Sequence, residues 1–198
     1  MLLFLIISKY LILWLFLIFL DIIFNMRKVK IIGVFVIFLL SFASHFIYKW
    51  IPNALFSIIF PVNESIWEHM KLLVTPVLIF SLIEYIIYIK KDISYNNFIF
   101  SYSISMLIGI ISYLIIYLPI HYIFGHSSIF AIILLFFIFM IIEIISYYIM
   151  RYRNIRYGNI IGLGIIIVMY IIFGYLTYYP IEIDLFYDDS KNVYGIPK

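Results

Sequence analysis

The stretch Asn63-Glu64-Ser65-Ile66-Trp67-Glu68-His69-Met70-Lys71 sets four ionisable side chains within nine residues and runs straight into a largely apolar segment ending at Ile89. The chain around it is 67% hydrophobic, with a mean hydropathy of +1.18. A polypeptide this apolar keeps its charges at a membrane-water interface or in a buried polar pocket, because an ionised group at the bilayer centre costs roughly 2.5 to 3.5 kcal/mol or more. The motif therefore marks both the end of a membrane span and a candidate site.

Working outward, apolar runs recur along all 198 residues, and the charged share is 12%, about half that of a soluble protein. Six runs, at about 2–24, 31–51, 66–89, 98–118, 128–150 and 158–179, each approach the roughly 20 residues needed to cross a hydrocarbon core of about 30 Å. The fold expected is all-α: a polytopic helical membrane protein with six transmembrane helices, or five if translation starts at Met26. That residue precedes Arg27-Lys28-Val29-Lys30 and an apolar run, a common opening for such proteins. Residues 1–25 then read as an extra N-terminal helix, 26–180 as the membrane domain and 181–198 as an extracytoplasmic tail. The first run lacks the basic start and small-residue cleavage site of a signal peptide. The absence of cysteine excludes disulfides, thiolate metal sites and cysteine nucleophiles. A net charge of +3 spread over short loops offers no groove for nucleic acid, so the expected partner is the lipid bilayer, with a lipid or small-molecule ligand at the polar pocket.

Basic residues set the orientation. Arg27, Lys28, Lys30, Lys90, Lys91, Arg151, Arg153 and Arg156 fall in alternate loops, which places that side in the cytoplasm. The motif and the C-terminus are then extracytoplasmic in a multi-pass protein of the cell membrane. All four histidines, His45, His69, His121 and His126, come to the outer side, although they played no part in choosing it.

Ser65-Ile66-Trp67-Glu68 has the form of a capping box, in which the serine oxygen accepts from the amide three residues on and the glutamate reaches back to the serine amide. On that reading Trp67 anchors at the interface and Lys71 extends to the headgroups. Glu64 and His69 are left without a structural task. On a helix, Glu64, Glu68, Lys71 and Thr75 share a stripe about 60° wide, with His69 about 100° from Glu68. Glu64, Glu68 and His69 are the candidate catalytic residues, with a glutamate as general base and His69 as ligand or acid. Asn63, Ser65, Lys71, His121, His126, Glu84 and Glu143 are candidate ligand-binding residues. A divalent metal is the one cofactor considered, held by His45, His69 and Glu64, since imidazole and carboxylate suit hard or borderline ions. Ser65 with His69 as base is also geometrically available to nucleophilic catalysis.

Glu84 and Glu143 lie deeper, within about two turns of the basic loops, where Lys90, Lys91 and Arg151 are the expected partners. Lys9 and Asp21 of the first run have no evident partners. Ser101, Ser105, Gly109 and Ser112 form a small-residue stripe, and Gly158-x-x-x-Gly162 forms another; both favour close helix approach. Pro76 is expected to loosen the span a turn below His69.

The run Pro61 to Leu72 resembles the signature of a bacterial membrane family known as domain of unknown function 6512. His45-Phe46, Glu84-Tyr85, Thr177-Tyr178-Tyr179-Pro180, Leu185-Phe186 and Tyr194-Gly195-Ile196 agree with it. The resemblance spans about residues 27–197 and implies a Gram-positive host but no mechanism. The zinc-holding Glu-x-x-Asn-x-x-x-His pattern of the progestin and adipoQ receptor and ceramidase-like superfamily is not met: Asn63 precedes Glu64, and residues 127–198 contain no histidine. Three functions stay open. The first is an outward-facing polar pocket for small-molecule or lipid binding or transport; the second is a metal-assisted hydrolase or transferase acting on a lipid or envelope precursor; the third is a non-catalytic interaction subunit.

Overall fold

The computed structural model describes residues 25–125 and 127–196. Among them five helical spans are long and apolar enough to cross a membrane. The all-α polytopic architecture is thus present. Lys9 and Asp21, the first apolar run as far as Phe24, and His126 lie outside the described residues.

Helix α1 (Met26–Trp50) is capped by Asn25, whose side chain accepts from the Lys28 amide at 3.0 Å. Its buried residues, Met26, Val29, Lys30, Gly33, Val34, Ile37, Ser41 and Ser44, follow the helical period. The bundle-facing stripe is the more polar one, while Ile31, Phe35, Leu39 and Phe46 face outward. Lipid is as apolar as leucine, so polar side chains gain most by turning to other helices.

A short helix α2 (Ala54–Ile59) follows, capped by Asn53. The motif then forms α3 (Ile66–His69), which continues after Met70 into α4 (Lys71–Lys90). The break in this span lies at Met70, whose amide bonds the Trp67 carbonyl three residues back, while α4 runs through Pro76. Together they make the most enclosed span, 61% buried against 22–33% for the other four, and so form its centre. Around it stand α5 (Phe98–Phe124), α6 (Ser128–Arg151) and α7 (Gly158–Tyr178). Helix α1 packs on α4 and α6, α5 packs on α4, α6 and α7, and α2 packs on α7.

The small-residue stripes set these approaches. A Cβ on Gly162 would lie 2.6 Å from the Phe100 Cα, so α7 meets the α5 backbone directly. Gly109 receives Ile142 and Ile138 of α6.

Connectivity gives the bundle two ends. At one, Asn97 ties the α4–α5 and α6–α7 loops, accepting from Ile155 N at 2.8 Å and donating to Arg153 O at 3.1 Å. This end carries the basic loops. At the other, the chain after α7 forms a 3-10 turn (Asp184–Phe186) and two short antiparallel strands, β1 (Tyr187–Asp188) and β2 (Val193–Tyr194), pairing Tyr187 with Tyr194 and Asp188 with Val193. Gly195 follows β2 at φ +65°, with the Thr177 carbonyl oxygen 2.7 Å from where a Cβ would lie. The hairpin rests on the motif: Asn63 donates to the Gly195 carbonyl at 2.6 Å, and the Glu64 amide donates to Asp188 Oδ2 at 2.9 Å.

Candidate functional site

The motif sends its polar side chains in two directions. Helix α3 starts at Ile66, so Glu64 precedes it and does not share the stripe of Glu68, Lys71 and Thr75. The helical-wheel reading fails there because its premise, a helix through residue 64, does not hold.

Glu68, Lys71 and Thr75 turn toward α2 and α7. Lys71 is fully buried, donating to Glu68 Oε2 at 2.6 Å, Thr177 Oγ1 at 2.7 Å and the Ser57 carbonyl at 2.7 Å. Glu68 Oε2 also accepts from the Val62 amide at 3.0 Å, and Oε1 from Thr177 at 2.7 Å. Thr75 donates to the Ile59 carbonyl at 2.6 Å and meets the Tyr170 hydroxyl at 2.9 Å. Three expectations are corrected. The capping box is only half made: Ser65 Oγ accepts from Glu68 N at 3.3 Å, but the Ser65 amide goes to Asn63 Oδ1 at 2.9 Å because the Glu68 carboxylate is claimed by Lys71. Lys71 does not extend to headgroups, since three buried acceptors outweigh hydration. Trp67 is no surface anchor either; its ring sits 5.5 Å from Phe173 and 5.1 Å from Phe186, between α7 and the tail.

Glu64 and His69 turn the other way, toward α1. Glu64 Oε2 lies 3.2 Å from His45 Nε2 and 3.5 Å from His69 Nε2, and the two imidazole centroids are 5.3 Å apart. The three ligand atoms all fall within 4.8 Å of one another. The Glu64 side chain is 49% exposed and the two histidines about half that. Hydrogen bonds from His45 and then His69 hold the Glu64 carboxyl well below its ordinary range, against the opposing effect of burial.

One hydrogen bond fixes the chemistry of His69. Its Nδ1 lies 2.8 Å from the Ser65 carbonyl, which can only accept, so Nδ1 carries a proton and Nε2 faces Glu64. A neutral ring would turn a lone pair on the carboxylate. The contact is favourable only with positive charge between them, either a second ring proton or a bound cation. A backbone carbonyl on the far nitrogen is also the usual support of a metal-ligating histidine. Asp188, fully buried in the tail, steadies Glu64 from behind: Oδ2 holds the Glu64 amide, and Oδ1 accepts from Ser190 and Lys191. Burial alone would raise its carboxyl, but these bonds hold it below the ordinary aspartate value.

The triad closes one end of a cavity of about 330 Å³ between α1, α4, α5 and α6, whose walls include Phe42, Phe46, Leu72, Tyr113, Ile132 and Leu135. Phe42 and Phe46 of α1 and Ile132 of α6, which line it, are also exposed, so the cavity opens at the bundle surface between α1 and α6.

The other sequence candidates lie elsewhere. Asn63 and Ser65 shape the loop. His121 stacks on Tyr117, ring centroids 5.6 Å apart, and does not line the cavity. Glu84 and Glu143 sit near the basic end, where their partner is Lys30 rather than Lys90, Lys91 or Arg151: its ammonium is 3.0 Å from Glu84 and 3.2 Å from Glu143. Lys30 lies on the buried face of α1, so its side chain enters the bundle, whereas Lys90 and Arg151 are exposed at helix ends. Sequence reasoning missed Asp188 and Lys30. A lysine one turn after Met26, in line with Val34 and Ile37, was the available signal for Lys30; nothing local marked Asp188.

Residues 18–196 match a family described as "Family of unknown function (DUF6512)". The match begins inside the first apolar run, earlier than residue 27, and covers most of the chain. No curated protein and no solved structure matches the chain.

Proposed function

We propose that this chain, which belongs to the DUF6512 family, binds a divalent cation through His45, Glu64 and His69 and acts on a lipid-like amphiphile in the adjoining cavity. Two imidazoles and one carboxylate are the ligand set of catalytic zinc sites that keep a fourth position open. Bond lengths of about 2.0 to 2.1 Å give a tetrahedral edge of about 3.3 Å. The observed edges of 3.2 and 3.5 Å from Glu64 are the observation that carries this reading.

The chain's own residues have defined tasks in it. His69 is oriented by the Ser65 carbonyl, Glu64 by the Asp188 carboxylate, and His45 by the α1 backbone. The apolar walls admit an acyl chain from the bilayer through the α1–α6 opening and bring its head to the triad. A metal there would supply Lewis-acid polarisation and an activated water, the chemistry of hydrolysis or group transfer. The orientation that the basic loops favour puts this site on the extracytoplasmic side of the cell membrane, where lipids and envelope precursors are the substrates at hand.

The test is a Zn²⁺ titration of the purified full chain with a competing chelating dye. One equivalent is expected to bind, with affinity falling at least about 100-fold in His45→Ala, Glu64→Ala and His69→Ala, each removing one of three ligands, and unchanged in His121→Ala. Failure of wild type to bind, or equal loss in His121→Ala, would overturn the proposal. A triad that binds no metal is an ion pair lining an amphiphile pocket, the reading that result would leave.

A further inference from the structure

The second polar cluster, at the basic end, is chemically unlike the first. Lys30, Glu84, Tyr88, Tyr102, Glu143 and Ser146 are all nearly or fully buried within the spans. Their hydrogen bonds are distributed unevenly. Glu84 accepts from Lys30, Tyr88 and Tyr102. Lys30 gives its remaining bonds to Ser146 at 2.7 Å and Tyr102 at 3.2 Å. Glu143, 1% exposed, receives no hydrogen bond on either carboxylate oxygen; Lys30 is close enough for an ion pair but poorly directed.

The charges do not balance. Two buried carboxylates share one ammonium, and the next cations, Arg27 and Arg151, line the cavity beside Glu143. An uncompensated buried charge is strongly destabilising. The group that would balance this cluster is one further positive charge at Glu143.

Glu143 is not sealed off. With Lys30 it lines a cavity of about 700 Å³ between α1 and α6, which also includes Arg27, Tyr147 and Arg151. Those last three also line a second cavity reaching Asn25 and Ser94 at the basic end. Arg151 folds back one turn, donating to the Tyr147 hydroxyl at 2.6 Å, so its guanidinium sits over this route. Two arginines along the route oppose a divalent ion more strongly than a monovalent one, by Coulomb's law. Phe35 and Phe136 of this cavity's wall are in ring contact with each other and, through Phe136, with Phe38, at 5.1 to 5.7 Å, and none of the three lines the cavity beneath His45.

We infer that Glu143 is the acceptor of a single positive charge, a proton or an alkali-metal ion, reached from the basic end through the α1–α6 cavity. The charged and titratable groups around it are Arg27 and Lys30 of α1, Glu84 and Tyr88 of α4, Tyr102 of α5, and Tyr147 and Arg151 of its own helix, the arginines and Tyr147 as lining of the shared cavity. The inference does not rest on a metal at His45, Glu64 and His69.

Two measurements on the full chain in lipid nanodiscs separate the two sources. Thermal unfolding is followed as Na⁺ replaces N-methylglucamine at fixed ionic strength; a bound ion raises stability with the logarithm of its concentration above its dissociation constant. Infrared spectra in H₂O and D₂O report whether a buried carboxylic acid C=O band is present. The result expected is one of these signals in wild type and neither in Glu143→Gln, which folds. The inference is overturned if wild type shows neither signal, if either persists in Glu143→Gln, or if both Glu143→Gln and Glu143→Leu fail to fold, because a neutral side chain of similar size satisfies the charge balance.

Discussion

Glu64 and Glu68 stand four residues apart in one motif, and the bundle treats them oppositely. Glu68 is 2% exposed, both its oxygens are occupied, and its partners come from the motif loop, α4 and α7. Glu64 is half exposed and meets only imidazoles, at the edge of a cavity. A carboxylate whose lone pairs are filled by fixed donors is a fastener; one left facing two convergent nitrogens and open space is available to a ligand. Charge density in the sequence does not separate these cases. The direction of each side chain does.

The largest expected effect tests the fastener. Lys71→Ala leaves Glu68 as an unpaired buried charge and is expected to cost about 3 to 5 kcal/mol, read as loss of folded protein in a denaturant titration in detergent. Replacing Glu68 and Lys71 together by Gln and Met should restore most of that loss, since a buried pair is often no better than neutral residues of similar volume. A single-mutant cost under about 1 kcal/mol would mean the pair behaves like a surface one, and the contrast with Glu64 would disappear.

His69→Ala is expected to reverse the pattern: stability within about 0.5 kcal/mol of wild type, but Zn²⁺ affinity reduced at least about 100-fold, or roughly 2.7 kcal/mol. Folded Glu68→Gln that binds Zn²⁺ as poorly as His69→Ala would show that the two directions are one site. The next effect concerns the tail. Asp188→Asn replaces one accepting oxygen by a donor and is expected to weaken Zn²⁺ binding about 10- to 100-fold, the usual range for a residue supporting a ligand. Unchanged affinity would assign Asp188 to hairpin stability alone.

The smallest effect sharpens the electrostatics. The Glu64 carboxyl is held below its ordinary value by His45 and His69, so its stabilising contribution is fully present above about pH 4.3 and is lost as pH falls through the depressed value. Half exposure keeps the contribution under about 1 kcal/mol after solvent screening. Thermal unfolding between pH 6 and pH 3 is therefore expected to show a small gap between wild type and Glu64→Gln that narrows toward acid. A gap that widens would reverse the assigned sign.

Much of the fold was legible because its determinants are local. Span length follows from the rise per residue and the bilayer thickness, and Gly162 and Gly109 announced close helix contacts that the packing uses. Less of the two polar clusters could be read. Glu84 and Glu143 read as deep charges, but their partner Lys30 reads as a loop residue like Lys28, because only a helical rotation of about 200° over two residues separates the exposed Lys28 from the buried Lys30. Trp67 looked like an interfacial anchor, since nothing local indicated that the tail would return to cover it.

The amino-acid sequence by itself determined that this chain crosses a membrane as helices, that its basic loops share one end, and that the motif near residue 64 stands at the other. Those properties depend on composition and period, which neighbouring residues define. Only the tertiary structure decided which carboxylate is tied down and which is open, that His45 meets His69, that Lys30 serves Glu84 and Glu143, and that Asp188 reaches back to the Glu64 amide. Each of these joins residues separated by 24 to 124 positions or chooses one side of a helix over another, and such choices are made by how the spans pack in a medium that penalises every unpaired charge.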